Sequence, residues 1–314
     1  MSTVDVLVLG AAYCDVVFDG LEGLPALGRE RFSKNLSLHA GGSAITAIAL
    51  AKLGVRTGLV ANVGYDLHGE RIMHDLEDSG VHANWLVRDE RTTPVTVVLP
   101  LANDRAFVTY APEAPLLHVD AALRSSGARH LHVAGAMTLL DDPTLLERAH
   151  SVGVTTSFDP GWHDEALRNP VVRGAARSCT ILLPNRSEAR ELAGLPQEDE
   201  EIDDAGARDA LHALAANRSR GITVVKDGAR GAQAIDATHP THTVHVSVPP
   251  RPVVDATGAG DVFDAGFLRA WLDGRPLDVA LHEGAMAGAL AVTALGGATA
   301  APTRERLDDE RNAL

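Results

Sequence analysis

Short apolar runs alternate with amphipathic segments along most of the chain. Six of the apolar runs have the length and continuity of buried strands, at residues 4–9, 57–61, 130–134, 155–158, 180–183 and 221–225. Segments with helical spacing lie between them, at 44–53, 67–79, 144–150, 186–193 and 205–216, and the chain from residue 257 onward is mostly helical in pattern. Apolar strands separated by helices predict an α/β fold with a parallel sheet covered on both faces.

Two stretches depart from this alternation. Residues 18–39 are irregular and end in an alternating run at 31–38, and residues 93–110 predict a hairpin with strands at 95–99 and 106–110 around a turn at 102–105. Strands inserted into a βα repeat usually form a separate small sheet. We expect that sheet to form a lid over the carboxyl ends of the parallel strands, where open α/β sheets bind ligands. A hairpin without a role in binding is the alternative.

The composition narrows the possible partners. The chain has 314 residues, with 28 lysines and arginines against 42 aspartates and glutamates and a net charge of −14. This acidic balance argues against nucleic acid or an anionic membrane as a partner, because nothing would neutralise their phosphates. No tract rich in proline, glycine or serine divides the chain, so we expect one domain over residues 1–314, with the lid formed by roughly 12–40 and 92–112.

Three features bear on location. The two cysteines, Cys14 and Cys179, are far apart and predict buried, reduced thiols. The first residues lack a basic region and run straight into a strand-like segment, so we expect no signal peptide and a cytoplasmic protein. Residues 284–303 carry no charge and have the length of a membrane span, but alanine and glycine dominate them, which favours a buried helix.

The strongest chemical signal is residues 255–261, which read Asp-Ala-Thr-Gly-Ala-Gly-Asp before an apolar-periodic run at 262–271. Small residues at a helix start leave the N–H groups of the first turn open, and the helix dipole adds positive charge there. This arrangement suits a phosphate or a developing oxyanion. Asp261 lies close enough to take a proton from a nucleophile that attacks the same group. Plain helix–strand packing is the alternative for such a glycine-rich turn.

Three other motifs accompany it. Gly41 and Gly42 precede an alanine-rich helix and permit close approach of a ligand, although a tight strand-to-helix turn explains them equally well. Asn185 and Glu188 have the spacing of an N-cap and its capping-box partner. Residues 225–231 read Val-Lys-Asp-Gly-Ala-Arg-Gly and predict a strand that runs into a glycine-rich hairpin.

In order and spacing these motifs resemble the PfkB/ribokinase family of sugar and nucleoside kinases over nearly the whole chain, and residues 255–261 carry the family's most specific signature. The resemblance implies a ribokinase-like three-layer αβα fold with a central, mostly parallel sheet and a small β-sheet lid. It also implies transfer of phosphate from ATP, with Mg²⁺, to a hydroxyl of a small sugar or sugar-like substrate. None of the three lysines follows the P-loop pattern, which excludes a P-loop enzyme.

The resemblance also implies roles for the reacting groups. Asp261 resembles the base that deprotonates the acceptor hydroxyl. The anion hole for the transferring phosphoryl group is then formed by Gly258, Ala259 and Gly260. Glu188, together with Asn185, would hold Mg²⁺ and its waters on the phosphates.

The same resemblance places the two substrates. Lys226 and Gly228 match positions that touch the nucleotide. The positions that match those gripping the sugar hydroxyls are Asp15, Gly41 and Gly42. Asp255 resembles a residue beside the substrate and a monovalent-cation site, with K⁺ as the possible ion.

Three positions depart from the family pattern. Ile45 or Thr46 stands where an asparagine usually binds sugar hydroxyls, and residues 131–135 lack the glutamate of ribokinases proper. Both departures weaken the case for ribose as the substrate. Ala285 replaces an asparagine that many members place near the nucleotide base, which weakens the case for ATP over another donor.

Alternatives and partners remain open at this point. A nucleoside kinase of the same fold would need an apolar slot for a base, with Phe18, Trp85, Phe107 and Tyr110 as candidates. A binding protein or regulator without turnover is less favoured, because it has no need of a base beside an anion hole. An unphosphorylated sugar is favoured over a sugar phosphate, because the sequence shows no basic cluster near the lid or the Gly41 turn. Arg105 in the hairpin is the one basic residue that could reverse this. The exposed face of the lid sheet predicts a homodimer.

Overall fold

The computed structural model describes residues 3–21, 23–100, 105–113, 117, 119–197 and 205–312. Its main sheet has eight strands in the spatial order β14-β13-β12-β11-β10-β9-β1-β4. In chain order these strands are β1 Val6–Gly10, β4 Thr57–Val60, β9 His130–Ala134, β10 Thr155–Asp159, β11 Ile181–Leu182, β12 Ile222–Lys226, β13 Ala232–Asp236 and β14 Thr243–Val246. The six strands from β4 to β12 are parallel, and β12, β13 and β14 pair antiparallel at one edge.

Helices cover both faces of this sheet. They are α1 Ser43–Lys52, α2 Leu67–Asp78, α3 Val119–Ser126, α4 Met137–Asp141, α5 Leu145–Ser151, α6 Asp164–Arg168, α7 Pro170–Ser178, α8 Arg186–Ala193, α9 Ala205–Ala215, α10 Ala259–Leu272, α11 Leu277–Ala291 and α12 Arg304–Asn312, and a 3₁₀ turn lies at Gly228–Arg230. The predicted helices are confirmed, and their observed bounds differ from the prediction by one or two residues at most.

Two hydrophobic cores explain the near-continuous apolar strands. Every residue of β1 is buried, and successive side chains point to opposite faces of the sheet. Val6 and Val8 pack into the core under α1, α10 and α11, whereas Leu7 and Leu9 pack into the core under α3, α5 and α9. The sheet is therefore the middle of three layers, as predicted.

A second, four-stranded sheet has the order β3-β2-β7-β8. Its strands are β2 Ala12–Asp19, β3 Asn35–Gly42, β7 Val95–Pro100 and β8 Arg105–Tyr110, and a two-stranded pair is formed by β5 Asn62–Gly64 and β6 Val87–Asp89. The predicted hairpin is confirmed as β7 and β8, while residues 102–104 of its turn lie outside the described residues. The small separate sheet is thus present, with β2 as a strand that the apolar pattern did not reveal.

The uncharged segment 284–303 is not one long helix. It spans the end of α11 and the irregular residues that follow. None of the helices in the described part of the chain has both the length and the hydropathy needed to cross a bilayer. Both cysteines are free and buried.

Candidate active site

A cleft of about 810 Å³ opens at the carboxyl ends of the parallel strands. Ala134, Asp159 and Lys226, the last residues of β9, β10 and β12, line it together with the first turn of α10. This is the edge at which open α/β sheets bind ligands. Gly42, at the end of β3, also lines the cleft, so both sheets meet there.

The start of α10 is shaped by glycine. Gly258 is the N-cap residue and has a φ of 72°, in the left-handed region that glycine adopts without strain. A Cβ atom at this position would lie 2.8 Å from the Cα of Gly297, so the two loops pack backbone against backbone. No side chain caps the helix, and Ala259 and Gly260 line the cleft. The first-turn amides are therefore placed to bind an anion.

Asp261 lies in this first turn, half-buried in the cleft wall. Thr46 of α1 donates a hydrogen bond of 2.9 Å from its Oγ1 to the Asp261 Oδ1. Burial, followed by the nearby Asp159 carboxylate, raises the pKa of Asp261 to about 7. A carboxyl group with a pKa near neutrality is suited to accept a proton during a reaction. The motifs named Thr46 only as a departure from the family pattern and did not predict its contact with Asp261.

Asp15 and Asp255 lie near the same point. Asp15 of β2 is only 5% exposed, and a Cβ atom on Gly41 would lie 2.3 Å from its carboxylate, so glycine at 41 is needed to make room for Asp15. Burial, then the Asp261 and Asp255 carboxylates, raises the pKa of Asp15 to about 7. Asp15 from β2 therefore converges with Asp255 and Asp261, the two ends of one motif, beside the start of α10.

The Asp255 carboxylate serves the loops around the anion-binding turn. Its Oδ1 accepts hydrogen bonds from the backbone N–H of Thr257, at 2.9 Å, and from the Thr257 hydroxyl, at 2.6 Å. Its Oδ2 accepts the N–H of Gly296 at 3.0 Å. These bonds tie the loop before α10 to the loop that packs on Gly258. Contact of Asp255 with a substrate or a monovalent cation stays a prediction.

Asn185 and Glu188 form the capping box that their spacing predicts at the start of α8. The Asn185 Oδ1 accepts the N–H of Glu188 at 2.9 Å, and the Glu188 Oε2 accepts the N–H of Asn185 at 2.8 Å. Both residues also line the cleft, so they can cap α8 and face a bound ligand at the same time. Burial, followed by the Asp159 carboxylate, raises the pKa of Glu188 to about 8. A cation bound near Glu188 would lower this pKa again.

These oxygens fit Mg²⁺ carried by a nucleotide. In the described part of the chain, no three histidine, cysteine or acidic side chains come together closely enough to hold a metal ion by themselves. Mg²⁺ usually keeps several waters and binds through one or two carboxylates plus substrate phosphates. Glu188 uses only its Oε2 in the capping box, and Asn185 stands beside it.

Lys226 lies in the floor of the cleft between two carboxyl groups. Its Nζ donates to the Asp159 Oδ2 at 2.9 Å and to the Asp264 Oδ1 at 3.1 Å. The sequence placed Lys226 in the site but missed both partners. Asp159 comes directly after a predicted buried strand, which is a position that could have been noticed. Asp264 is an acid inside the apolar run at 262–271 and is fully buried.

The other end of the cleft is mostly apolar. Gly228 has a φ of 56°, and no atom lies within 4 Å of the point where its Cβ would be. Val248, Val253 and Ala285 line this end. Of the two predicted nucleotide positions, Gly228 therefore borders open space, whereas Lys226 lies between two carboxyl groups.

The aromatic residues that line the cleft differ from the predicted set. Tyr13, Trp162 and Phe263 line it, and Trp162 is 51% exposed. Of the four candidates for a base-binding slot, none is among the described residues of the cleft wall. Trp85, for example, packs on Gly58 of β4 and donates its Nε1–H to Ser125. The periodic pattern could not show which aromatic side chains face the cleft.

Comparison with known proteins identifies the family. The model of the pfkB family of carbohydrate kinases matches residues 5–304. The chain belongs to this family. It is a carbohydrate kinase by descent, and the fold and family expected from the motifs are confirmed.

Individual relatives fall into several activities of that family. A fructokinase of Escherichia coli is 30% identical over 299 residues, which cover 88% of this chain and 92% of the relative. A nucleoside kinase of Methanothermobacter thermautotrophicus is 29% identical over 285 residues, covering 87% and 84%. The structure of Arabidopsis thaliana ribokinase complexed with ribose and ATP matches 98% of each chain, with a TM-score of 0.80 and 25% identity. The shared features are the kinase fold and class, whereas the acceptors named differ.

Proposed function

We propose that this pfkB-family kinase transfers the terminal phosphoryl group of ATP, with Mg²⁺, to a hydroxyl of a small sugar or sugar-like alcohol. The observation that carries the proposal is Asp261, which Thr46 holds by a 2.9 Å hydrogen bond in the first turn of an uncapped helix. A proton acceptor and an anion-binding turn thus stand side by side in one cleft. Both are needed for phosphoryl transfer to an alcohol.

In the proposed reaction Asp261 accepts the proton of the acceptor hydroxyl, while the oxygen of that hydroxyl forms a bond to the γ-phosphorus. The bond from that phosphorus to the bridging oxygen breaks, and ADP leaves with the electron pair. The amides at Gly258, Ala259 and Gly260 stabilise the charge on the phosphoryl oxygens during transfer. The protein mainly positions the reactants and stabilises charge.

Several residues would hold the nucleotide and its metal. Mg²⁺, when bound, neutralises the β- and γ-phosphate oxygens, and Glu188 with Asn185 would hold it through water. Lys226 and Gly228 would contact the nucleotide, since both line the cleft beside α10. The proposal also includes a K⁺ ion that binds near Asp255.

The charges around Asp261 favour a neutral acceptor. The Asp261 and Asp255 carboxylates both raise the pKa of Asp15, so negative charge is concentrated at this point of the site. Among the described cleft residues the full cations are Lys226, bonded to two aspartates, and Arg251, bonded to Glu310. An anionic acceptor would be repelled, whereas sugar hydroxyls can donate to Asp15 and pack against the Gly41–Gly42 backbone.

A nucleoside is the second candidate acceptor. The observation that favours it is the set of three aromatic side chains, Tyr13, Trp162 and Phe263, in the cleft wall. An exposed indole offers a flat apolar surface that could hold a base as well as the apolar face of a sugar ring. The nucleoside kinase among the relatives agrees with this alternative.

A panel of acceptors tests the proposal. ADP release from ATP and Mg²⁺ should be measured with sugars, sugar acids, polyols, sugar phosphates and nucleosides, and each active acceptor repeated with the Asp261→Asn variant. We expect activity with a neutral polyol or sugar that the variant loses. Activity confined to nucleosides would select the second candidate, and activity confined to sugar phosphates would contradict the charge argument.

A further inference from the structure

The ammonium group of Lys226 joins three elements below the cleft. Lys226 is the last residue of β12, and its ammonium group donates hydrogen bonds to Asp159 at the end of β10 and to Asp264 within α10. Lys226 is 8% exposed and Asp264 is fully buried, so this group is held firmly by its surroundings. Asp264 lies one helical turn after Asp261, which places the pair of bonds directly behind the proposed base.

One donor of this ammonium is left over. A lysine ammonium has three N–H groups, and Asp159 and Asp264 accept two of them. Across the described residues no third acceptor is found for the Lys226 Nζ. The Nζ lies 3.3 Å from the point where a Cβ on Gly260 would be, so the group stands against the anion-binding turn.

The charge of Lys226 is suited to an incoming anion. Burial raises the pKa of Asp264 well above its usual range, which favours its uncharged form and leaves Asp159 as the principal counter-ion. The pKa of Lys226 itself is raised: burial is the largest single effect and lowers it, but the nearby Asp159, Asp264 and Glu188 together outweigh burial. The ammonium therefore stays charged in a half-enclosed site, where an added phosphate oxygen interacts strongly.

We propose that Lys226 donates its third N–H to the terminal phosphoryl group of the nucleotide, and that Asp159 and Asp264 position it for this contact. The inference rests on the proposed function and adds which phosphate the lysine recognises. It assigns to this lysine, at the end of a β-strand, a role that a lysine in a P-loop would otherwise perform. Glycine at position 260 then leaves room both for the lysine side chain and for the phosphate.

Binding of two nucleotides separates this role from a structural one. We expect Lys226→Met to weaken binding of the non-hydrolysable triphosphate AMP-PNP by about 10- to 100-fold, the range typical of a hydrogen bond to a charged group. Binding of ADP, which lacks the terminal phosphoryl group, should change less than about threefold, because the lost hydrogen bond is to that group alone. Isothermal titration calorimetry with Mg²⁺ gives both dissociation constants without turnover.

Lys52→Met is the matched control. Lys52 donates to the backbone carbonyls of Ala298 and Thr299 and does not line the cleft. The same change of side chain there should leave the ratio of the two affinities unaltered. Equal weakening of both nucleotides by Lys226→Met, or weakening of neither, would overturn the inference.

A second variant covers the case in which Lys226→Met fails to fold because Asp159 is left unpaired. The double variant Asp159→Asn/Lys226→Met removes both charges and is compared with Asp159→Asn alone. The added methionine must produce the same selective loss of AMP-PNP binding, and its absence would contradict the contact. Wild-type protein that binds neither nucleotide would overturn the proposed function and this inference with it.

Discussion

The surroundings of Asp261 hold its side chain in place but disfavour its charged form. Thr46 donates one hydrogen bond to it, whereas burial and the Asp159 carboxylate both disfavour ionisation. The native protein therefore maintains an acid whose pKa of about 7 is higher than that of an unfolded aspartate. Such a group makes proton transfer easier at neutral pH and costs stability there.

This cost has a predictable pH dependence. Because the pKa of Asp261 is raised in the folded state, folding takes up protons between about pH 4 and 7, and stability falls as the pH rises through that window. Asp261→Asn removes the cost, so the variant should unfold about 1–3 °C higher than wild type at pH 8. This difference is smaller than the full pKa shift would give, because the half-buried side chain is partly screened by solvent. At pH 4.5 the two proteins should unfold at nearly the same temperature.

Differential scanning calorimetry at the two pH values measures the difference. Asp278→Asn, an exposed aspartate in the first turn of α11, serves as the control for the substitution itself. A stabilisation by Asp261→Asn that is equal at both pH values would contradict the raised pKa.

Sequence patterns identified the functional residues unevenly. Asp261, Asn185, Glu188 and Lys226 could be named because each belongs to a local motif. Thr46 and Asp264 could not, since a threonine in an apolar helix and an acid in an apolar run gain meaning only from partners distant in the chain. Their roles depend on tertiary contacts that no spacing rule encodes.

At the scale of elements, the start of α10 depends on backbone packing. Gly258 has a left-handed φ of 72° and no room for a side chain, because a Cβ would also lie 3.0 Å from the Ile45 Cγ2. The turn before α10, the start of α1 and the loop at Gly297 are therefore fitted against one another. The shape of the anion-binding turn follows from this contact of three elements.

Alanine substitution separates the contact from the backbone strain. Gly258→Ala should lower the free energy of unfolding by about 2–4 kcal/mol, since it adds a steric clash to the strain of a left-handed residue. Gly274→Ala, at the other end of α10, has a φ of 71° but open space around its Cβ, and should cost only about 1 kcal/mol. Urea unfolding of both variants gives the two values.

The activity of the same variants completes this test. Gly258→Ala should also reduce turnover, whereas Gly274→Ala should keep it, because only the first residue shapes the proposed anion hole. Equal costs in stability for the two variants would show that the clash with Gly297 and Ile45 does not matter.

The elements themselves could be predicted well where they are long and periodic. The buried parallel strands and their helices appeared from apolar runs, and α8 was placed from its capping box with the observed bounds. Strand β2 was missed because it follows β1 after one residue and its burial is mixed. The antiparallel edge beyond β12 was foreseen only as a glycine-rich hairpin at 225–231.

At the scale of the whole molecule, the second sheet leaves an apolar surface uncovered. Leu36, Val108 and Tyr110 on its strands are each more than half exposed, and the strand register places them on one face of the sheet. We propose that a second copy of the chain covers this sheet, since an exposed apolar sheet face favours association. We also propose a cytoplasmic protein, because two free, buried thiols suit a reducing compartment.

Size measurement tests this association. Sedimentation velocity should give about twice the mass of 33.0 kDa at micromolar concentration, and Val108→Lys should shift the protein toward the monomer by placing a charge in the apolar face. Val152→Lys, which replaces an exposed apolar residue after α5, should leave the dimer intact. A wild-type protein that sediments as a monomer would remove the proposal.

The fold and the enzyme class could be argued from the sequence because the motifs are local and their order follows that of the family. The acceptor could not, because Tyr13 on β2 and Trp162 in the loop after β10 reach the cleft from distant parts of the chain. The central claim concerns the one residue that unites sequence and geometry, Asp261 in the first turn of α10.

The most direct test is the turnover of Asp261→Asn with the best acceptor, compared with wild type and with Asp278→Asn. Loss of a general base predicts a fall in kcat of about 10²- to 10⁴-fold. Calorimetry should show AMP-PNP binding within about threefold of wild type, because the change removes the base without removing any proposed nucleotide contact. Asp278→Asn should match wild type in both. Turnover of Asp261→Asn close to that of wild type would contradict the account.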